Sequence, residues 1–449
     1  MRVCPLECDG SACSGSCRRG GGAGIGAAGP VGLRSGLDRN TGGNPVEGIF
    51  EGLRVADLTN VLSGPTLTRL LVEMGAEVIK VELTPSGDIG RYLPWRKNGR
   101  SGYHVQQNRG KQSLFIDGKD PEGRALLLEL VGQVDVLVEN FSPGAIDRLG
   151  LGWDVVSALN PRLVMCSISA FGQHGPLADR PGYDPIAQAY TGTMHMVGER
   201  GGPPAMMAFS PGDVLTGVHG LAGVCAALYH RERTGQGQRV EVSLIDSYAT
   251  CHEINYQATS LSEGEFQAER NGSLHPLVGG CGAFPAGDGY VAVAVVNDRQ
   301  WVQFCRAMDR PDLEADPRFA DAVGRAANLV AFNTLIGEWL AAQPSRDAAV
   351  EALVAQRVPA APVLDMAEAL AHPHLRAGRT VRTVQDVRLG TVDIPGMPIR
   401  FSAFPDELEL KAAGLGEHNE AVVCGVLGWD VSRYRQLVER GVLRFEPGS

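Results

Sequence analysis

Residues 53–83 read LRVADLTNVLSGPTLTRLLVEMGAEVIKVEL, and this stretch decides the fold. Its first six residues are a short apolar run of strand length. Ser63-Gly64-Pro65 then supplies a helix start, because a proline in the first turn gives up only an N–H that has no partner there. The predicted helix runs through Met74, and Gly75 ends it before a second strand at 77–83. Strand, helix and strand in that order make a β-α-β unit. The unit recurs: an amphipathic helix at 121–132, a buried strand at 134–138 and, after the Asn160-Pro161 turn, a strand at 162–170. This alternation predicts an α/β fold built on a doubly wound, Rossmann-like parallel sheet. Ligands of such sheets sit beyond the carboxyl ends of the strands, which directs attention to residues 60–64, 84–90, 139–144 and 171–183.

A second decisive stretch is Ser210-Pro211-Gly212-Asp213, a turn that opens onto Val214, Leu215, Val218, Leu221, Val224 and Leu228 at helical spacing. The predicted helix begins at Asp213, runs to about Arg233 and stops at Thr234-Gly235. A carboxylate in a first helical turn lies among unpaired N–H groups, at the positive end of the macrodipole. It is therefore expected to be ionised at neutral pH and aimed in one direction. Such a group either caps its helix or acts as a nucleophile, and the local pattern alone favours the cap.

The chain of 449 residues has room for two or three domains, and its 44% apolar and 20% charged residues are ordinary for a soluble globular protein. A formal net charge of -10 argues against nucleic acid as a partner. No apolar run of membrane-spanning length and no secretion signal is read, so a cytoplasmic protein without a membrane partner is expected. Cys166, Cys225, Cys251, Cys281, Cys305 and Cys424 stand singly in apolar contexts, as reduced thiols do.

Residues 1–48 are rich in Gly, Cys, Ser and Arg without apolar period and are expected to be a disordered extension. Cys4, Cys8, Cys13 and Cys17 lack the paired spacing of a zinc site, and no metal is expected. Gly24-Ile25-Gly26-Ala27-Ala28-Gly29 matches a dinucleotide fingerprint by letter, but no strand precedes it and Pro30 follows. Residues 49–258 form the expected large domain, ending in a strand at 238–244 and a helix at 245–257. Residues 259–284 are a linker closing on the glycine-rich loop Val278-Gly279-Gly280-Cys281-Gly282-Ala283. A smaller α+β domain is expected at 285–375, with strands at 290–296 and 361–364 and helices near 299–308, 329–343 and 346–356. Residues 376–394 are a second linker, and 395–449 return to the large domain. His372 and His374 without a third ligand read as a turn, and no Gly-x-Ser-x-Gly elbow is present.

From about residue 50 onward the chain resembles the class III CoA-transferases, the family of formyl-CoA transferase, with α-methylacyl-CoA racemase as a sister branch. The likeness rests on the order and spacing of Val61-Leu62-Ser63-Gly64-Pro65, Gly75-Ala76-Glu77-Val78-Ile79-Lys80-Val81-Glu82, Asp120-Pro121-Glu122-Gly123, Val138-Glu139-Asn140-Phe141-Ser142-Pro143-Gly144, Gly182-Tyr183-Asp184, Gly212-Asp213 and Arg233-Thr234-Gly235-Gln236-Gly237-Gln238. The resemblance implies that Asp213 is the catalytic carboxylate. It implies that coenzyme A, arriving as acyl-CoA, lies along Leu62, Ser63, Ile116, Asp117, Gly118, Lys119, Asn140, Phe141, Ser142, Arg148, Arg180, Pro181, Gly182 and Tyr183. Gly279, Gly280, Cys281 and Gly282 resemble the mobile loop that covers the substrate. An interlocked homodimer is implied as well, with residues 260–277 and 376–395 suited to the threading. Two positions depart from formyl-CoA transferase: Leu83 replaces a CoA-contacting arginine and Pro181 a lysine.

The chemistry stands on its own terms. CoA moves between two acids without loss only if every intermediate keeps the activation of a thioester, which a carboxylate nucleophile does and a serine ester does not. The expected function is transfer of CoA from an acyl-CoA donor to a small carboxylic acid, through an aspartyl mixed anhydride and an aspartyl-CoA thioester. The relatives make a dicarboxylate the expected acid, with Tyr92, Met194 and residues 206–209 as selectivity positions. A racemase needs two acid/base groups flanking the α-carbon. The racemase branch has a histidine where this chain has Tyr183, a poor base near neutral pH. A non-catalytic acyl-CoA binding protein would show affinity without turnover.

Overall fold

The computed structural model describes residues 48–404 and 408–446, all within one compact unit. The expectations for residues 1–47, including the four crowded cysteines and the fingerprint at 24–29, lie outside the described residues.

The opening stretch folds as β1 (Arg54–Asp57), α1 (Ser63–Glu73) and β2 (Glu77–Leu83). Two short strands, β3 (Arg96–Lys97) and β4 (Arg100–Ser101), lead into α2 (Gly102–Asn108), β5 (Gln112–Ile116), α3 (Pro121–Gly132) and β6 (Val136–Glu139). Then come α4 (Ala145–Arg148), α5 (Trp153–Leu159), β7 (Val164–Ser169), α6 (Asp184–Tyr190), α7 (Thr193–Met196), α8 (Pro211–Thr234), β8 (Gln238–Ser243) and α9 (Leu244–Ala249). Six strands pair in the order β5-β2-β1-β6-β7-β8, every neighbour parallel. The chain starts in the middle, winds outward to β5, then returns to β6 and winds the other way. The direction reverses between β1 and β6, so a crevice opens at their carboxyl ends.

Alternation along the strands explains why both faces are covered. Ala56, Ile79, Leu137 and Met165 face α3, α5 and the residues beyond 421, while Val55, Val78, Val136, Val138, Val164 and Cys166 face α1 and α8. Each buried Val, Leu or Ile side chain contributes about 1.5–3 kcal/mol, and the period of two divides that gain between the layers. The outer edge of β5 is sealed late in the chain. Ile116 bridges Leu443, Arg109 bridges Ala412, and the Phe115 N–H donates to Asn419 Oδ1 at 2.9 Å.

The 24-residue α8 corrects one expectation. By length and composition it is long and apolar enough to cross a membrane. Here it packs on α1, β7, β8 and α9. Of the apolar stripe expected, Leu221, Val224 and Leu228 are buried, but near the helix start Val214 and Val218 are exposed and Gly212, Thr216, Gly217 and Gly220 are buried instead. Small residues let the backbone approach α1, and closeness outweighs apolarity in choosing the face.

Two further readings change. The helix expected at 245–257 breaks into α9 and α10 (Asn255–Leu261). The glycine-rich segment is no open loop from Cys281 on: β9 (Cys281–Ala286) pairs antiparallel with β10 (Gly289–Ala294), placing Cys281 opposite Ala294 and Gly282 opposite Val293. Gly280, at φ +69°, donates its N–H to Asn333 Oδ1 at 2.8 Å. A third strand, β11 (Ala360–Pro362), completes this sheet, and Trp301, Phe304, Phe332, Ile336 and Leu353 fill a core separate from those of the six-stranded sheet.

Candidate active site

Two helix starts converge at the crevice. Asp213 is the third residue of α8, and the residue before the helix, Ser210, makes no side-chain cap. Asp213 does not cap the helix either. Its own N–H donates to Asp184 Oδ2 at 3.1 Å, so the cap comes from another element. Asp184 opens α6, is 2% exposed, and its other oxygen accepts from the Tyr248 hydroxyl at 2.8 Å and the Gln188 amide at 2.6 Å. The Asp213 carboxylate is left beside Ser63, the first residue of α1, and the two line the same cavity. Close approach makes this contact possible: a Cβ on Gly217 would lie 2.6 Å from the Ser63 carbonyl oxygen, and one on Gly220 2.6 Å from Leu67 Cδ1.

The electrostatics run against the simple helix-dipole expectation. Burial and the neighbouring Asp184 charge push the Asp213 carboxyl up to about 6, outweighing the polar groups of Ser63, which favour the anion. At pH 7 roughly nine-tenths of the population is still ionised, as a nucleophile requires. A base this poised is more nucleophilic than an ordinary aspartate, and it stands beside the start of α1, whose first-turn N–H groups can meet a developing oxyanion. The Tyr103 phenol, raised by burial and by the Asp213 and Asp88 charges, stays a neutral donor and bonds the Val61 carbonyl at 3.1 Å.

The carboxylate opens on a cavity of about 320 Å³ lined by residues 60–63, Ile89, Asn140, Ile168, Ser169, Ala170, Gly182, Tyr183 and Leu244. Its floor is the switch point itself. The Asn140 side chain accepts from the Asn60 N–H and donates to the Asn60 carbonyl, both at 2.8 Å, clasping the turns after β6 and β1 together. Apart from Asp213, Tyr183 is the one titratable side chain among the residues lining it.

A family model for CoA-transferase family III matches residues 50–419. The chain belongs to that family. The transferase is 36% identical over 409 residues to the formyl-CoA:oxalate CoA-transferase of Streptomyces coelicolor, covering 88% of this chain and 99% of that one. It is 37% identical to the succinyl-CoA:mesaconate CoA-transferase of Haloarcula hispanica, over 83% of this chain and 94% of the relative. Among solved structures, a CAIB/BAIF family protein from Brucella suis superposes with a TM-score of 0.74 at 32% identity, covering 85% of this chain and all of that one.

Of the residues expected to hold the transferase's acyl-CoA, Leu62, Ser63, Asn140, Gly182 and Tyr183 line the cavity with Asp213. Ile116, Asp117, Gly118 and Lys119 lie instead at the carboxyl end of β5, with only Lys119 exposed, and Phe141, Ser142 and Arg148 follow β6. Arg180 is exposed and bonds the Tyr190 hydroxyl at 3.1 Å, and Pro181 beside it is exposed too. Leu83 packs against Gly118 and the first core. Gly279, Gly280, Cys281 and Gly282 are absent from the cavity lining, as are Tyr92, Met194 and residues 206–209. Asn60 and Ile89, also in the lining, fall within the strand-end segments 60–64 and 84–90 to which the sequence points, whereas the role of Asp184 is not read from it. The Asp184 contact, 29 residues away from Asp213, leaves no local mark.

Proposed function

We propose that the transferase moves CoA from an acyl-CoA donor to a small carboxylic acid with Asp213 as covalent nucleophile. The observation that carries this reading is a half-buried carboxylate, poised near neutral pH, at the junction of two helix starts in the sheet's crevice. An Asp213 oxygen attacks the donor thioester carbonyl, the C–S bond breaks, and CoA leaves as thiolate while an anhydride forms. The thiolate attacks the aspartyl carbonyl of that anhydride and expels the donor acid, giving aspartyl-CoA. The acceptor carboxylate attacks this thioester to form a new anhydride and release thiolate. Attack of the thiolate on the acceptor's acyl carbon then yields the new acyl-CoA and frees Asp213. Ser63, which lines the cavity with Asp213, offers its N–H and hydroxyl to each oxyanion on this reading.

The cavity is sized for the thioester end and a small acyl group, so the rest of CoA runs outward over the strand ends, past Asn140 and toward Ile116 to Lys119. Relatives named for oxalate, mesaconate and glutarate support a small dicarboxylate as acceptor. A homodimer is part of the reading: Tyr183, Tyr190, Met206, Phe209, Val214 and Val218 leave apolar surface exposed around the site. The large and small domains at 49–258 and 285–375, and a cytoplasmic location, complete it. A racemase is disfavoured by the lack of a second carboxylate or histidine among the residues lining the cavity.

The test is Asp213→Asn with a panel of acyl-CoA donors and carboxylates. CoA exchange should fall by at least about 10³-fold with CoA binding retained, and intact-mass analysis of the wild type in mid-turnover should find the adduct on Asp213. Near wild-type exchange in the variant would end the proposal.

A further inference from the structure

The turn that delivers Ser63 to Asp213 holds a backbone conformation that its residues disfavour. Val61 sits at φ +66°, in the left-handed region where a β-branched side chain is a costly outlier. Other elements keep it there. Asp88 Oδ1 accepts the Val61 N–H at 3.1 Å, and the Tyr103 hydroxyl donates to the Val61 carbonyl at 3.1 Å. Two residues earlier, Lys80 Nζ donates to the Thr59 carbonyl at 2.8 Å. Lys80 and Asp88 are each 1% exposed and face each other at 3.0 Å. Asp88 is aimed in turn: it accepts the Gly90 N–H at 2.8 Å, and its own N–H donates to Glu82 Oε1 at 3.1 Å. Glu82 is itself forked by Arg91 at 2.7 and 2.6 Å.

A buried ion pair contributes little net stability compared with apolar side chains of the same volume. Here its two charges grip one turn at two places, the carbonyl of Thr59 and the N–H of Val61. The grip ends one residue pair before Ser63.

We propose that the Lys80–Asp88 pair, with the Tyr103 hydroxyl, is a positioning device that locks the β1–α1 turn so that Ser63 stays against the Asp213 carboxylate. The inference rests on Asp213 being the nucleophile. The groups that act on that carboxylate are Ser63 from α1 and Asp184 from α6, and its charge is felt by Tyr103 of α2. Of these, Ser63 favours the anion, whereas Asp184 and burial oppose it. Loosening the turn weakens the favourable partner alone, so the Asp213 pKa climbs and the oxyanion donor drifts.

The test compares wild type with Asp88→Asn, with the apolar pair Lys80→Met/Asp88→Leu, and with Tyr103→Phe, which leaves both charges in place. Each is read by rapid-quench mass spectrometry for the rate of adduct formation on Asp213, by the acid limb of kcat/KM and by CoA affinity. Adduct formation should slow about tenfold or more in the pair variants and less in Tyr103→Phe. The acid limb should move up by about half a pH unit, with the CoA dissociation constant within about twofold of wild type. Folded variants that form the adduct at the wild-type rate with an unmoved acid limb overturn the proposal. So does a loss of active fraction alone, which is what a merely structural role predicts. If the charge variants fail to fold, Tyr103→Phe decides by the same two readings. Absence of any adduct in the wild type would instead strike the nucleophile itself.

Discussion

Asp213 is held in a state that favours reaction over stability. Its carboxyl has moved from an ordinary 3.8 to about 6. A raised carboxyl pKa means that the folded state binds the proton more tightly than the unfolded chain. Below pH 4 both states are protonated and nothing is lost; the penalty grows between pH 4 and 6 and is complete at neutral pH, at roughly 3 kcal/mol as an upper bound. Asp213→Asn should therefore be more stable than wild type at pH 7 and equal to it near pH 3.5, measured by chemical denaturation across that range. In the wild type, kcat/KM should fall below an apparent pKa of about 6, because only the anion attacks. The sequence placed this carboxylate in a first helical turn and so made an anion the natural expectation. The direction of its shift was not legible, because Asp184 lies on another helix and burial is a property of the finished packing.

Elements meet at this residue, and their spacing is set by the smallest side chains. Gly217 separates α8 from the Ser63 carbonyl by less than a methyl group, so Gly217→Ala must push α1 outward. We expect a loss of about 1–3 kcal/mol in thermal or urea unfolding, and a kcat lowered more than CoA affinity, since Ser63 moves with α1. Asp184 joins three elements, accepting from Asp213 in α8, Tyr248 in α9 and Gln188 in its own α6. Asp184→Ala leaves all three donors without an acceptor and should cost about 2–4 kcal/mol in the same measurement. Element boundaries were largely readable: 121–132 and 77–83 coincide with α3 and β2. The apolar stripe holds for the second half of α8, where Leu221, Val224 and Leu228 are buried, and fails in the first, where Val214 and Val218 are exposed and the contact surface is glycine and threonine. Periodicity reports how apolar a residue is; it does not report how near a neighbour must come. The strand at Cys281 was hidden for a related reason, since three of the four residues from 279 to 282 are glycines, which signal turns even where they pair in a sheet.

For the whole molecule, the parallel sheet followed from the repeated β-α-β pattern, and the crevice followed from the sheet. What no local pattern carried were the contacts that join distant parts of the chain. The exposed apolar residues about the site predict that the transferase is a dimer in solution, with a mass of about twice 47.7 kDa by light scattering. A monomer at micromolar concentration would remove the second subunit from the reading and leave Asp213 untouched.

The seal on β5 has its own consequence during synthesis. Phe115 finds its acceptor on Asn419, 304 positions later. A ribosome making this chain will have delivered all six parallel strands while the last partners of β5 are still unmade, so an unfinished polypeptide carries a raw strand edge able to pair with its neighbours on a polysome. Chains stopped before Ala412 should precipitate or be held by chaperones. Full-length translation is, on this account, also the step that makes the sheet safe to release.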